Sequence, residues 1–222
     1  QATKNDLMRH YGTPDNKITV VHEAAAPHFR VVPSSEVSRV RAKYDLPERF
    51  LLTVGTIEPR KNLTRLVEAL ARLRKADRQL YMVVVGSKGW MFDEFFAKIE
   101  ELGLQGAVRM LGFVPDEDLP AVFRAATVYV MASIYEGAGL PLLEAMACGV
   151  PVAAFPVDGP LQVIADSSGG VMRNDLRQAW SEALPIPRAL ARGRALEFGW
   201  DRAAAPARHT PSLRASPGRR SR

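Results

Sequence analysis

Short, nearly unbroken apolar runs alternate along this chain with longer amphipathic stretches. The runs are Phe50-Leu51-Leu52-Thr53-Val54, Tyr81-Met82-Val83-Val84-Val85, Ala107-Val108-Arg109-Met110-Leu111, Val128-Tyr129-Val130-Met131 and Val152-Ala153-Ala154-Phe155. Each has the length of a strand. Their lack of polar alternation predicts strands covered on both faces. Between them the spacing predicts helices over 62–75, 90–102, 117–125 and 141–148. Strand then helix, repeated, predicts an α/β fold: a Rossmann-like parallel sheet with helices on both faces. Upstream, residues 4–11 predict a short helix, and Ile18-Thr19-Val20-Val21 predicts a β-branched strand. Beyond Pro156 the pattern weakens. Residues 157–164 predict one more helix, and Trp180 and Trp200 predict a packed helical end.

Glycines fall where predicted strands stop: Gly55, Gly86 and Gly112. Open parallel sheets bind ligands outside the carboxyl ends of their strands. Candidate chemistry is therefore sought on the loops that follow those strands.

Composition narrows the picture. With 222 residues, 47% of them hydrophobic, the chain can bury a core of one or two domains. No apolar run approaches the roughly 20 residues needed to span a bilayer. One cysteine, Cys148, excludes an internal disulfide, fits a reducing, cytoplasmic setting, and reads as a buried structural thiol. The start, Gln1-Ala2-Thr3-Lys4, has neither Met nor signal-peptide character, and reads as a piece of a longer protein. The net charge is +6, and six arginines with no acid follow Asp201, so residues 1–201 sum to zero. This basic, Pro- and Gly-bearing end is expected to be a disordered tail over 201–222, without a nucleic-acid role.

The most informative stretch is Glu136-Gly137-Ala138-Gly139-Leu140-Pro141, running on to Glu144. Two carboxylates, separated by seven residues, bracket a Gly-rich turn at a helix start. Gly137 and Gly139 permit close backbone approach, and Pro141 suits the first helical position. Free N–H groups at such a start attract anions. A phosphate on the turn would lie between two hydrogen-bond acceptors, which is the layout a nucleotide-sugar needs. The same residues also suit a plain strand-turn-helix with two solvated glutamates.

A second loop, Gly55-Thr56-Ile57-Glu58-Pro59-Arg60-Lys61-Asn62, hangs two cations over a strand end, with Asn62 as a candidate helix N-cap. Gly112-Phe113-Val114-Pro115-Asp116-Glu117-Asp118 follows another strand. Its three acids open a helix and are expected to cap it rather than bind a metal. Gly86-Ser87-Lys88-Gly89 is either a border of the site or a simple turn; it lacks P-loop spacing. Gly137 and Gly139 lack the third glycine of a dinucleotide fingerprint. Ser133 is expected to shape its loop. His22 and His28 have no Cys or third His beside them and are read as solvated or packing residues.

These motifs together resemble the retaining glycosyltransferases of family 4, whose signature is Glu-(seven residues)-Glu. The resemblance covers residues 3–155 well and 156–200 loosely, including Phe198-Gly199-Trp200. It implies the C-terminal, donor-binding half of a GT-B fold. Residues 1–15 would then be a remnant of the preceding acceptor domain and 16–200 the nucleotide-sugar domain.

By the same resemblance Glu136 faces the donor sugar, Glu144 holds ribose hydroxyls, and the N–H groups of Gly139 and Leu140, with Gly137, hold the diphosphate. Lys61 contacts donor phosphate and assists departure of the nucleotide; Arg60 is the candidate to supply the charge of the Arg that the family often has at Thr56, and otherwise the site is weaker. Gly55 and Thr56 border the site, and the backbone of Val114 meets the nucleobase. The family often has Phe where this chain has Ala138, and an Arg where it has Thr56.

The implied reaction moves a hexose, with a lean toward mannose, from a nucleoside-diphosphate sugar to an acceptor hydroxyl with retention. No cofactor or metal is expected. The implied partners are the nucleotide-sugar and an N-terminal acceptor domain, with peripheral membrane contact of the full-length enzyme. A stand-alone nucleotide-sugar binding module and a GT-B epimerase remain alternatives.

Overall fold

The computed structural model describes residues 2–21, 23–164 and 169–200. His22 and the basic end beyond Trp200 lie outside them. In chain order the elements are α1 (Ala2–Tyr11), α2 (Ser34–Lys43), β1 (Phe50–Val54), α3 (Leu63–Leu73), β2 (Tyr81–Val85), α4 (Asp93–Glu101), β3 (Val108–Gly112) and α5 (Leu119–Ala125). There follow β4 (Val128–Met131), α6 (Leu140–Ala147), β5 (Val152–Ala154), α7 (Asp158–Val163), β6 (Gly170–Met172), α8 (Leu176–Ala183) and α9 (Arg188–Leu196).

The six strands form one parallel sheet in the order β3-β2-β1-β4-β5-β6. Successive strand residues point to opposite faces. Leu51, Met82, Val84, Val130 and Ala153 meet α3, α4 and α8 on one face. Phe50, Leu52, Val83, Tyr129 and Met131 meet α2, α5, α6 and α9 on the other. The helices are cut to fit. In α3, Leu63, Leu66, Val67 and Leu70 form a single buried stripe. At the C-terminus of α5, Arg41 donates to the Ala125 carbonyl and Arg188 to the carbonyls of Arg124 and Ala126. These guanidinium groups serve helix-end oxygens that lack helical partners.

Strand order reverses between β1 and β4, which pair directly through Leu51↔Val128 and Leu52↔Tyr129. That reversal opens a crevice at the carboxyl edge and makes neighbours of two loops distant in sequence.

Several expectations are corrected. Ile18 is extended, but residues 18–21 pair with no strand among the described residues, so the local β-preference finds no ladder to join. The third strand starts and ends one residue later than expected, and the fifth stops at Ala154. Trp180 is buried on α8, whereas Trp200 is half exposed and donates to the Ala25 carbonyl. Among the described residues no helix is long and apolar enough to cross a membrane.

Candidate active site

The loop after β1 is shaped by close backbone packing. Gly55 has φ 137°, a conformation that side chains disfavour, and Gly86 has φ 141°. A Cβ on Gly86 would stand 2.1 Å from the Gly55 carbonyl oxygen. Lys61 lies across Gly55, its Cε 3.1 Å from where a Cβ would be. Pro59–Lys61 make one tight 3-10 turn, and Asn62 follows in the left-handed region at φ 53°, ψ 37°. Asn62 holds the N-cap position of α3, but its side chain does not cap the helix. Its Nδ2 instead donates to the Ala132 carbonyl at 3.1 Å, across the crevice.

The loop after β4 delivers the carboxylate. Gly139 is left-handed at φ 72° and starts α6, with Pro141 at the second helical residue rather than the first. The turn is backed by Gly159 of α7. A Cβ there would stand 3.0 Å from both Glu136 Cβ and Gly139 N, so only glycine lets α7 approach this closely.

The two loops meet at Glu136, which is 8% exposed. Lys61 Nζ lies 2.7 Å and Arg60 Nη1 3.1 Å from its Oε1. The Ser133 hydroxyl donates to the same oxygen at 2.7 Å. Arg60 is bracketed on its other side by buried Glu58, 2.6 Å away. Burial would push the Glu136 carboxyl up. Donation by Lys61 and Ser133, with the charges of Lys61 and Arg60, outweighs it and holds the carboxyl below its ordinary value. The Ile134 amide also donates to the Arg60 carbonyl, and Arg60 Nη1 to the Tyr135 carbonyl, each at 3.0 Å.

Glu144 behaves oppositely. Burial, reinforced by the charges of Asp116 and Glu23, pushes its carboxyl up to about 7. Those two charges come from the loop that carries Val114 and from the segment before α2. Val114 itself is buried in the core, while Phe113 is 80% exposed. Thr56 is exposed, with its Cγ2 close against Gly89. A cleft of about 530 Å³ opens onto the Glu136–Leu140 turn, with Thr3 and Lys4 of α1 and Glu23 on its other walls.

Other candidates are placed elsewhere. Lys88 Nζ sits over the rings of Phe92 and Phe96, 5.1 and 4.7 Å from their centroids, turned toward α4. Asp118 does not cap α5 with its side chain. It is 1% exposed and takes Lys43, Tyr44 and Arg39 of the α2 region, each at 2.6 Å. A short side chain buried against α2 accepts from Lys43 and Tyr44 on Oδ2 and pairs with the charge of Arg39 through Oδ1, instead of serving its own helix. Burial pushes the Cys148 thiol up to about 12, in keeping with a packed, inert residue. The His28 ring lies tilted against Phe29, with centroids 4.3 Å apart. Sequence reasoning missed Glu58 as the second brace on Arg60 and Ser133 as a donor to Glu136. The only local signal was their closeness in sequence to residues already singled out.

A parallel sheet in this order, with cation and carboxylate loops gathered at its switch point, defines a Rossmann-like α/β domain with its chemistry on the carboxyl edge. The chain belongs to the glycosyl transferases group 1 family, whose model matches residues 35–184. It is 33% identical over 213 residues to O-antigen chain mannosyltransferase B of Escherichia coli, covering 90% of this chain and 55% of that protein. The chain thus spans about half the length of that relative. Among solved structures, Anabaena HepE in complex with UDP and glucose superposes with a TM-score of 0.81 at 22% identity, covering 96% of this chain and 61% of that one. The C-terminal domain of the group 1 protein LpcC from Francisella tularensis superposes with a TM-score of 0.61 at 23% identity, covering 82% of this chain and 97% of that one. At that identity these two likenesses are of fold.

Proposed function

We propose that residues 16–200 bind the donor of a group 1 glycosyltransferase, with residues 1–15 belonging to the passage from a preceding acceptor domain. The donor is a nucleoside-diphosphate hexose. Mannose is favoured by the mannosyltransferase relative, and transfer with retention by the Glu136–Glu144 signature. The reading is carried by one observation: the Lys61–Glu136 contact of 2.7 Å at the β1/β4 crevice.

In this account the diphosphate lies between Lys61 and the N–H groups of Gly139 and Leu140. Lys61 carries three N–H donors and can serve Glu136 and a phosphate oxygen together. The glycosidic bond to the diphosphate weakens in the transition state and negative charge grows on the leaving oxygen. Lys61 and Arg60 stabilise that charge electrostatically in a site already organised for it. Glu136 faces the sugar, where positive charge develops. Glu144 accepts from the ribose hydroxyls, and the Val114 loop borders the base. The two cations address the leaving group's charge without a metal.

Acceptor recognition and transfer are assigned to the whole enzyme, cytoplasmic and touching the membrane peripherally. Calorimetric titration of this chain with UDP and with GDP tests the donor reading. Heat saturating with at least one of them is expected; folded protein that binds neither would sink it.

A further inference from the structure

The Lys61–Glu136 contact needs two loops, each following a different strand, to be held at one separation. Three hydrogen bonds stitch them. The Ile134 amide donates to the Arg60 carbonyl, Arg60 Nη1 to the Tyr135 carbonyl, and Asn62 Nδ2 to the Ala132 carbonyl. The first two involve Arg60, already engaged by Glu58 and Glu136. The third comes from a residue with no charge and no place in the chemistry described above.

Asn62 is unusual in two respects. Among the described residues it is one of three non-glycine residues with positive φ, in the region where asparagine is tolerated and β-branched or bulky residues are disfavoured. It also stands at the N-cap of α3, where an asparagine ordinarily accepts from its own helix. Here the side chain donates in the other direction, to the last residues before the Glu136 turn. The left-handed backbone departs from the extended geometry of a capping residue, and the amide nitrogen is spent across the crevice.

The geometry points to Asn62 as a positioning residue. Its left-handed backbone turns Lys61 back over Gly55, and its amide ties the residue after Lys61 to the end of β4, fixing Lys61 Nζ against Glu136. This rests on the donor-site reading above. Asn62 does not touch the donor; it acts through Lys61.

Asn62→Gly separates the two contributions, because glycine keeps the left-handed backbone and deletes only the cross-crevice bond. The other two stitches remain, so the thermal midpoint should move little. UDP and GDP are titrated into the chain, Asn62→Gly, Lys61→Ala and the double variant. Asn62→Gly is expected to weaken whichever nucleotide binds by about threefold to tenfold, the net effect of one hydrogen bond. In the Lys61→Ala background the same change should add less than about twofold, since the residue being positioned is gone.

An equal loss in both backgrounds would overturn the inference, as would an unchanged affinity in Asn62→Gly while Lys61→Ala binds weakly. If Lys61→Ala itself binds like the parent chain, the donor-site reading fails first, and the inference with it. Should Asn62→Gly prove unstable, Asn62→Asp keeps the size and tolerates the backbone but cannot donate. It should weaken binding at least as much, because its charge also repels the diphosphate, and full affinity there would overturn the proposal.

Discussion

Glu136 and Asp118 are both buried carboxylates, and each is held by cationic and hydroxyl donors. The arrangements differ. Asp118 spreads its partners over both oxygens, with Lys43 and Tyr44 on Oδ2 and Arg39 on Oδ1. All three come from α2 or the residue just after it. The carboxyl is held well below its usual range by Lys43 and Tyr44 first, and by Arg39. Glu136 gathers Lys61, Arg60 and Ser133 on Oε1 alone and lines the cleft. One acid is sealed between helices that do nothing else; the other joins two loops at the point where the sheet changes direction. Burial and pairing alone do not mark a site. What sets Glu136 apart is that its cations come from another loop at the carboxyl edge and that it lines the cleft.

The comparison is broken most forcefully by exchanging the roles. Asp118→Ala should lower stability by about 1.5–3 kcal/mol, the range for hydrogen bonds to a charged group, since it removes the buried carboxylate that Lys43 and Tyr44 share; half-exposed Lys43 and Arg39 can rehydrate. Nucleotide affinity should stay within about twofold. Chemical denaturation and calorimetry read the two quantities. A large loss of affinity from Asp118→Ala would place that acid in the site.

Glu144 sharpens the contrast through pH. Its folded carboxyl titrates at about 7, above its ordinary 4.5, so the free protein is protonated below that pH. Ribose hydroxyls donate best to the ionised form. Affinity for a nucleoside-diphosphate sugar, whose diphosphate does not titrate here, should be full above pH 7. Below it, affinity should fall by up to about tenfold per unit, near 1.4 kcal/mol. Glu144→Gln should flatten the profile. For stability the sign is reversed: a raised acid favours the protonated fold, so its contribution is lost as pH rises through about 7.

The smallest effect is expected from Ser133→Ala. It removes one neutral donor from Glu136 and leaves both cations, so affinity should change by about 1 kcal/mol or less. The Glu136 carboxyl should titrate higher than in the parent chain, which NMR of its side-chain carbon would register. A carboxyl that titrates unchanged would show that the hydroxyl does not hold it.

Legibility in the sequence followed the strength of the local signal. β1, β2 and β4 were readable to the residue because their apolar runs are uninterrupted. β6 was not, being three residues that open on Gly170. α2 was missed because it is polar nearly throughout and buries only Val40. Ile18–Val21 misled because β-branching states a preference and pairing decides it. The motif residues were legible as motifs, but their partners were not. Lys61 and Glu136 stand 75 residues apart, as do Lys43 and Asp118, and only the folded chain shows that the first pair joins two loops at the β1/β4 crevice while the second ties α2 to the start of α5. Asn62 was read as a cap because its position is a cap; the direction of its hydrogen bond appears only in three dimensions.

On the proposed function Lys61, held by Glu136 at the β1/β4 crevice, receives the donor's diphosphate, whereas Lys88 serves α4. Titration of UDP and GDP into Lys61→Ala and Lys88→Ala tests it most directly. Lys61→Ala should weaken binding by about 1.5–3 kcal/mol, the range for a hydrogen bond to a charged group. Lys88→Ala should bind within about twofold of the parent chain. Equal affinities in the two variants, or a larger loss from Lys88→Ala, would contradict the account.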